Sequence, residues 1–196
     1  MPKSCCLENI RGFFLDGPFP DNYHAFESEK YILQKLDAEQ LRAAMRGWSA
    51  GVTVVTAALD GQFHGMTVNS FTSISLDPAM ITISLQGSTR THEMVLKSRA
   101  FGLTILSNEQ AHVSDLFAGR MPEVTDRFAA LKTQILVTGS PLIVGGLSWL
   151  DCRVLQTFDV GMNTLFISEV VAAREGQAGD PLIYHNRRYW NLAELK

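Results

Sequence analysis

Cysteine is scarce in this sequence, with only three, and two of them are adjacent at Cys5 and Cys6. Three thiols cannot form a disulfide framework, and neither Cys5 nor Cys6 has partners at metal-ligand spacing, so no metal site is expected. Cys152 lies in an apolar, strand-like stretch and reads as an inert core thiol. Clustered positive charge is absent too. Seventeen Lys+Arg against twenty Asp+Glu give a formal charge of −3, with no basic run. A nucleic-acid or anionic-membrane partner is therefore not expected. No apolar stretch approaches the roughly 20 residues that span a bilayer. Residues 1–22 lack the uninterrupted apolar segment and cleavage site of a secretory signal, and a reducing cytoplasm is the simpler location.

What is present is one domain's worth of mostly apolar chain: 196 residues, 46% hydrophobic and 19% charged. Residues 1–36 read as an N-terminal arm, broken by the turn-rich Gly17–Asn22, and 37–196 as the domain. Asp37 with Gln40 starts a helix to Arg46, whose apolar face is Leu41, Ala44, Met45 and Trp48. Val52–Ala57 is β-branched and leads into Asp60-Gly61, a hairpin signal, with Phe63–Phe71 as the returning strand. Ala79–Gln86 alternates, placing Ile81, Ile83 and Leu85 on one face. Phe101–Leu106 is a further strand, followed by the capping box Ser107–Gln110 and a helix bearing Val113, Leu116 and Phe117 up to Gly119. Strands are expected at Ser148–Thr157, Thr164–Ala173 and Leu182–Tyr184. Six or more strands without regular βαβ spacing indicate a mainly β fold with added helices, an antiparallel sheet or barrel.

The most unusual segment is Gly65–Ser75. Gly65, Thr67, Asn69, Ser70, Thr72, Ser73 and Ser75 make seven of its eleven residues small or polar, interleaved with Met66, Val68 and Phe71. This mixture suits a ligand with a flat apolar body and hydrogen-bonding edges. A Ser/Thr-rich passage from strand to loop accounts for the same composition. A second cluster, Gly87-Ser88-Thr89-Arg90-Thr91-His92, opens a helix and combines hydroxyls, free backbone N–H groups and a guanidinium. It forms a candidate phosphate seat, although ordinary capping explains it equally well.

These residues resemble the short-chain flavin reductase family. The resemblance is carried by Gly51–Thr56, by the run from Gly65 through Ser75 to Leu76-Asp77-Pro78, and by Phe101–Ser107. It continues in Phe117-Ala118, Gly139-Ser140-Pro141-Leu142 and Pro181–Tyr189, and covers about residues 38–192. It implies an FMN-binding split β-barrel, antiparallel and of Greek-key type. It further implies a homodimer that reduces FMN or FAD with NADH or NADPH and supplies reduced flavin to a partner monooxygenase. By the same resemblance Thr67, Val68, Asn69 and Ser70 line the flavin ring and ribityl chain. Ser84 and Gln86 lie on the neighbouring strand face, and Ser88, Thr89 and Arg90 hold the phosphate. Hydride passes between stacked rings about 3–3.5 Å apart, so alignment and water exclusion matter more than a general base.

The family pattern is broken at one place. Where it has Gly-Asp-His and a hydroxyl residue on the nicotinamide side, this chain reads Gly161-Met162-Asn163-Thr164. Asn163 can replace some hydrogen bonds of a histidine but cannot ionise. Arg187 and Arg188 are candidate clamps on that side, or an exposed basic pair. His64 is a strand-edge residue or a flavin contact, and His24, His92 and His112 lack metal-ligand spacing. Two other readings stay open: a flavoenzyme on this scaffold acting on an organic substrate with retained flavin, and a flavin-binding module without turnover.

Overall fold

The computed structural model describes residues 36–192. The chain divides between Gln40 and Leu41, and the expected arm therefore lies, but for Leu36, outside the described residues. Helix α1 spans Ala38–Met45, with Gln40 Oε1 accepting from the Asp37 N–H at 3.0 Å. None of its residues is buried.

The strands β1 (Ala50–Gly51), β2 (Thr53–Leu59), β3 (Gln62–Val68), β4 (Thr72–Leu76) and β5 (Ala79–Gln86) follow in succession. Asp60 and Gly61, both at positive φ, make the tight turn between β2 and β3. Helix α2 (Arg90–Ser98) leads to β6 (Ala100–Ile105), a 3₁₀ turn with the expected capping box between Ser107 and Gln110, and helix α3 (Ala111–Phe117). Short strands β7 (Thr133–Gln134) and β8 (Leu142–Ile143) precede the long hairpin of β9 (Ser148–Val160) and β10 (Asn163–Glu175). Strands β11 (Ile183–His185) and β12 (Arg188–Trp190) close the described chain, and β11 pairs with both β1 and β12 in a small sheet.

The main sheet has seven strands in the order β3-β2-β6-β9-β10-β5-β4, with every ladder antiparallel. Its two edges, β3 and β4, are consecutive in the chain and joined only by Asn69, Ser70 and Phe71. A flat sheet of this width would hold its edges about 29 Å apart at roughly 4.8 Å per strand. The link from Val68 to Thr72 spans at most about 14 Å. The sheet therefore curls until its edges approach, and among the described residues no ladder joins β3 to β4.

This corrects the expected strand Phe63–Phe71. The chain leaves one edge of the sheet after Val68 and joins the opposite edge at Thr72. Ser70 laces the gap. Continuing the register Thr72↔Thr82 by two places sets Ser70 opposite Ser84. There the Ser70 hydroxyl donates to the Ser84 carbonyl at 2.8 Å and accepts from its N–H at 3.2 Å.

Inside the curl, Val55, Val68, Ile81, Ile83, Leu85, Phe101, Leu103, Cys152 and Phe166 form the principal core. Burial pushes the Cys152 thiol well above its ordinary range, which leaves it a packing residue. The opposite face of β2 is also covered, because Val52 and Val54 pack with Val113, Leu116 and Phe117 of α3. Burial on both faces explains why Val52–Ala57 is buried throughout and carries β-branched residues and alanine rather than an alternation of apolar and exposed polar residues. Gly65 makes this approach possible: a Cβ there would lie 2.9 Å from Phe117 Cε1 and 3.0 Å from the Val55 carbonyl.

Candidate functional site

The end of β3 is the centre of the site. Thr67, part-buried, donates its hydroxyl to the Ser114 carbonyl of α3 at 2.7 Å, while Val68 is buried in the core. Asn69 then leaves the sheet with its side chain exposed and without a hydrogen bond to any described residue. Beside these residues is a cleft of about 180 Å³, walled by Val52, Tyr184 and Tyr189 and reaching Arg120. The Tyr189 hydroxyl donates to Asp115 Oδ1 at 2.7 Å and lies 2.9 Å from Ser114 Oγ. Arg120 bonds Asp115 at 2.7 Å and stands 5.6 Å from the centre of the Tyr189 ring. Burial holds the Tyr189 phenol above its ordinary value, so it remains a neutral donor.

Asn69 and Tyr184 also line a second cleft of about 220 Å³, whose other walls include Trp48, Arg42, Arg46 and Arg187. Arg187 is carried there by the tight turn between β11 and β12, where Asn186 and Arg187 both have positive φ. Arg188 begins β12, is exposed, and lines neither cleft.

The remaining sequence-derived residues meet at the far end of β5. Gln86 stands opposite Asn163 in the β5–β10 ladder, and the Gly87 N–H donates to the Met162 carbonyl at 2.9 Å. Gly161, at positive φ, turns β9 into β10 and leaves Met162 78% exposed. Ser88 is exposed and has no hydrogen bond through its hydroxyl to a described residue. Thr89 is the N-cap of α2: its hydroxyl donates to the Gln86 carbonyl at 2.8 Å and accepts from the His92 N–H at 3.3 Å. Arg90 is held by Gln62 at the start of β3. The turn 161–163 is thus laid against 86–88, Ser70 ties the 67–70 passage to Ser84, and Arg187 faces Asn69 across a cleft.

Two features have no local signal in the sequence. His92 is buried, with Nε2 2.9 Å from the Thr164 hydroxyl, which donates to Asp159 Oδ1 at 2.8 Å. This chain anchors the start of α2 to the base of the 161–163 turn. A third cleft, of about 490 Å³, lies between the β2–β3 turn, Arg90 and residues 124–128. It contains His64, whose Nδ1 is 2.8 Å from the Thr91 hydroxyl. Burial, then the Arg127 and Arg90 guanidiniums, hold that imidazole below its ordinary value.

The donor set fits a flat aromatic group with hydrogen-bonding edges. Thr67 and Ser70 spend their hydroxyl protons on backbone carbonyls, but Asn69 keeps both a donor and an acceptor unspent between two aromatic-walled clefts. Among the described residues no group of His, Cys, Asp and Glu is placed to hold a metal ion. No helix among them is long and apolar enough to cross a membrane.

Residues 45–193 match the family described as flavin reductase like domain. Relatives include the reductase component of a 4-nitrophenol 4-monooxygenase/4-nitrocatechol 2-monooxygenase from Rhodococcus opacus. It is 34% identical over 165 residues, covering 84% of this chain and 86% of the relative. The NADH-dependent flavin reductase StyB of Pseudomonas fluorescens is 35% identical over 164 residues, covering 82% and 94%. Among solved structures, flavin reductase PheA2 aligns with a TM-score of 0.75 at 33% identity, over 81% of this chain and 100% of that one. The NADH:FAD oxidoreductase SgcE6 of Streptomyces globisporus, in complex with NAD and FAD fragments, aligns with a TM-score of 0.74 at 29% identity, over 80% and 93%.

Proposed function

We propose that this chain, which belongs to the flavin reductase-like domain family, is an NAD(P)H-dependent flavin reductase that supplies reduced FMN or FAD to a partner monooxygenase. The family match spans three-quarters of the chain, and relatives matched over 85% or more of their length are named as flavin reductases or reductase components. The structural observation that carries the reading is Asn69, an exposed and unspent amide where two aromatic-walled clefts meet.

The residues that hold the flavin are Thr67, Val68, Asn69, Ser70, Ser84, Gln86, Ser88, Thr89 and Arg90. A bound flavin supplies the ring that accepts hydride. Asn69 binds its polar edge, while the hydroxyl oxygen of Thr67, already donating to Ser114, offers only lone pairs. Val68 pins the passage to the core. Ser70 and Thr89, bonded to Ser84 and Gln86 respectively, act by fixing backbone position, and Ser88 and Arg90 supply donors to a phosphate. Gly161, Met162, Asn163, Arg187 and Arg188 form the nicotinamide side. Asn163 orients there by hydrogen bonding alone, having no ionisable group.

The domain is a split barrel running from residue 37, with residues 1–36 appended as an arm, and it works as a cytoplasmic homodimer. The exposed Leu41, Met45 and Trp48, the last 64% exposed, support a second copy as the cover for that apolar face. The Met162-Asn163 pair favours a second reading, a flavoenzyme acting on an organic substrate with retained flavin. Gel filtration separates the two, since a reductase of diffusible flavin sheds it and a retained prosthetic group stays.

The function is tested by steady-state assays crossing FMN and FAD with NADH and NADPH. Flavin-dependent oxidation of at least one nucleotide is expected. Tight flavin binding without turnover on either nucleotide would overturn the reading.

A further inference from the structure

Thr164 stands at the base of the 161–163 turn, buried, directly opposite Asp159 in the β9–β10 ladder. Its hydroxyl has one proton, and it gives that proton to Asp159 Oδ1 at 2.8 Å. Toward His92 Nε2, 2.9 Å away, it therefore has only lone pairs to offer. His92 must be the donor, so its Nε2 carries a proton. The imidazole is fixed on two further sides. Its ring meets Phe166 of the core edge-on, with centres 5.6 Å apart and planes at 69°. Its backbone N–H donates to the Thr89 hydroxyl at 3.3 Å. One residue thus bonds the N-cap of α2 through its main chain and the base of the turn through its side chain. Beyond the strand ladders, the tip of the turn is tied by the Gly87 N–H, which donates to the Met162 carbonyl at 2.9 Å. Met162 and Asn163 are themselves exposed.

We infer that His92 is a positioning residue for nucleotide binding: by donating from Nε2 to Thr164 it holds the 161–163 turn in the setting that presents Asn163 to the nicotinamide. It acts through Thr164. Asn163 can work only by hydrogen bonding, which weakens steeply as donor and acceptor lose alignment, so the placement of the turn sets its strength. Exposed residues at the tip give the turn little packing, and the bonds at its base and tip fix it instead. Without the Nε2 proton, the buried Thr164 oxygen loses its donor and the base of the turn loosens. The nucleotide role rests on the proposed reductase function; the bond from His92 to Thr164 does not.

The test begins on the full chain without flavin or nucleotide. Nitrogen NMR of the imidazoles, with His92 assigned by its loss in His92→Gln, is expected to show a proton on Nε2. A ring protonated at Nδ1 alone overturns the proposal, and this readout needs no variant to function. Hydrogen exchange of the Gly87 amide should quicken about tenfold in Thr164→Val and His92→Leu. It should stay near the wild-type rate in His92→Gln, whose side-chain amide supplies an N–H in place of Nε2–H. The Ser84 amide, held by Ser70, serves as the control. Equal quickening at Gly87 and Ser84 would make His92 a packing residue and overturn the proposal. In steady-state assays Thr164→Val and His92→Leu should raise KM for NADH or NADPH about tenfold with kcat within about twofold. Flavin affinity should be unchanged, and His92→Gln should recover KM. An unchanged KM beside quickened Gly87 exchange also overturns the proposal. A wild type that oxidises neither nucleotide overturns the reductase function and the nucleotide role with it, while Gly87 exchange still decides whether His92 holds the turn.

Discussion

The Ser70 hydroxyl occupies the place of a missing strand, bonding both the carbonyl and the N–H of Ser84 where the β4–β5 ladder has ended. It ties the link between the two sheet edges to β5, the neighbour of edge strand β4, and the flavin-facing residues proposed here lie immediately before it. Ser70→Ala leaves both Ser84 groups without this partner in a part-buried position. A loss of about 1–3 kcal/mol is expected, measured as a lower urea midpoint with an unchanged slope.

Gly65 sets the distance between β3 and α3. In Gly65→Ala the new methyl meets Phe117 and the Val55 carbonyl, both inside packed structure. Overpacking of this kind costs about 1–3 kcal/mol. Because Thr67 is bonded to Ser114 of the same helix, the displacement also reaches the site. Thermal melting should fall and flavin affinity should weaken together; a melt that falls with flavin affinity intact would separate α3 from the site.

Much of this architecture is legible in local pattern, for identifiable reasons. Ala79–Gln86 alternates because one of its faces packs into the core, and the Ser107–Gln110 box is visible because its partners are three residues apart. The crossing at Asn69-Ser70-Phe71 is not legible, because periodicity records which residues are buried and not which sheet edge they join. The anchoring role of His92 is not legible for a related reason: its partner Thr164 is 72 residues away, and nothing in either segment says that the two meet. Arg127 reaches the His64 cleft only through its anchors on Gly65 and Phe117. The apolar stripe of α1 was readable, whereas what covers it is not written in the helix.

His64 makes stability depend on pH. Its folded-state value lies below the ordinary 6.5, through burial first and then Arg127 and Arg90. The unfolded chain therefore binds the proton more readily. The stabilisation is fully present above about pH 6.5 and is lost as pH falls through the lower folded-state value. Urea midpoints should decline on acidification through that window. His64→Asn should flatten this part of the profile, and an unchanged slope in the variant would remove His64 as its source.

The turn at Met162-Asn163 is exposed, and its tether to the neighbouring strand end is the backbone bond from Gly87. Replacing the pair by Asp and His should alter stability by no more than about 0.5 kcal/mol. On the nicotinamide side, the swap is expected to lower KM for NADH or NADPH while leaving flavin affinity unchanged. Altered flavin affinity with unchanged nucleotide kinetics would place the turn against the flavin instead.

The central claim is that the passage from Thr67 to Ser70 cradles a flavin, and calorimetric titration of FMN and FAD into the wild type and Asn69→Leu measures it directly. Asn69 is exposed and bonds no described residue, so the variant should keep the wild-type urea midpoint. The account predicts saturable flavin binding by the wild type and about a tenfold or greater loss in the variant. A wild type that leaves both flavins unbound, or a variant that binds them equally well, would contradict it.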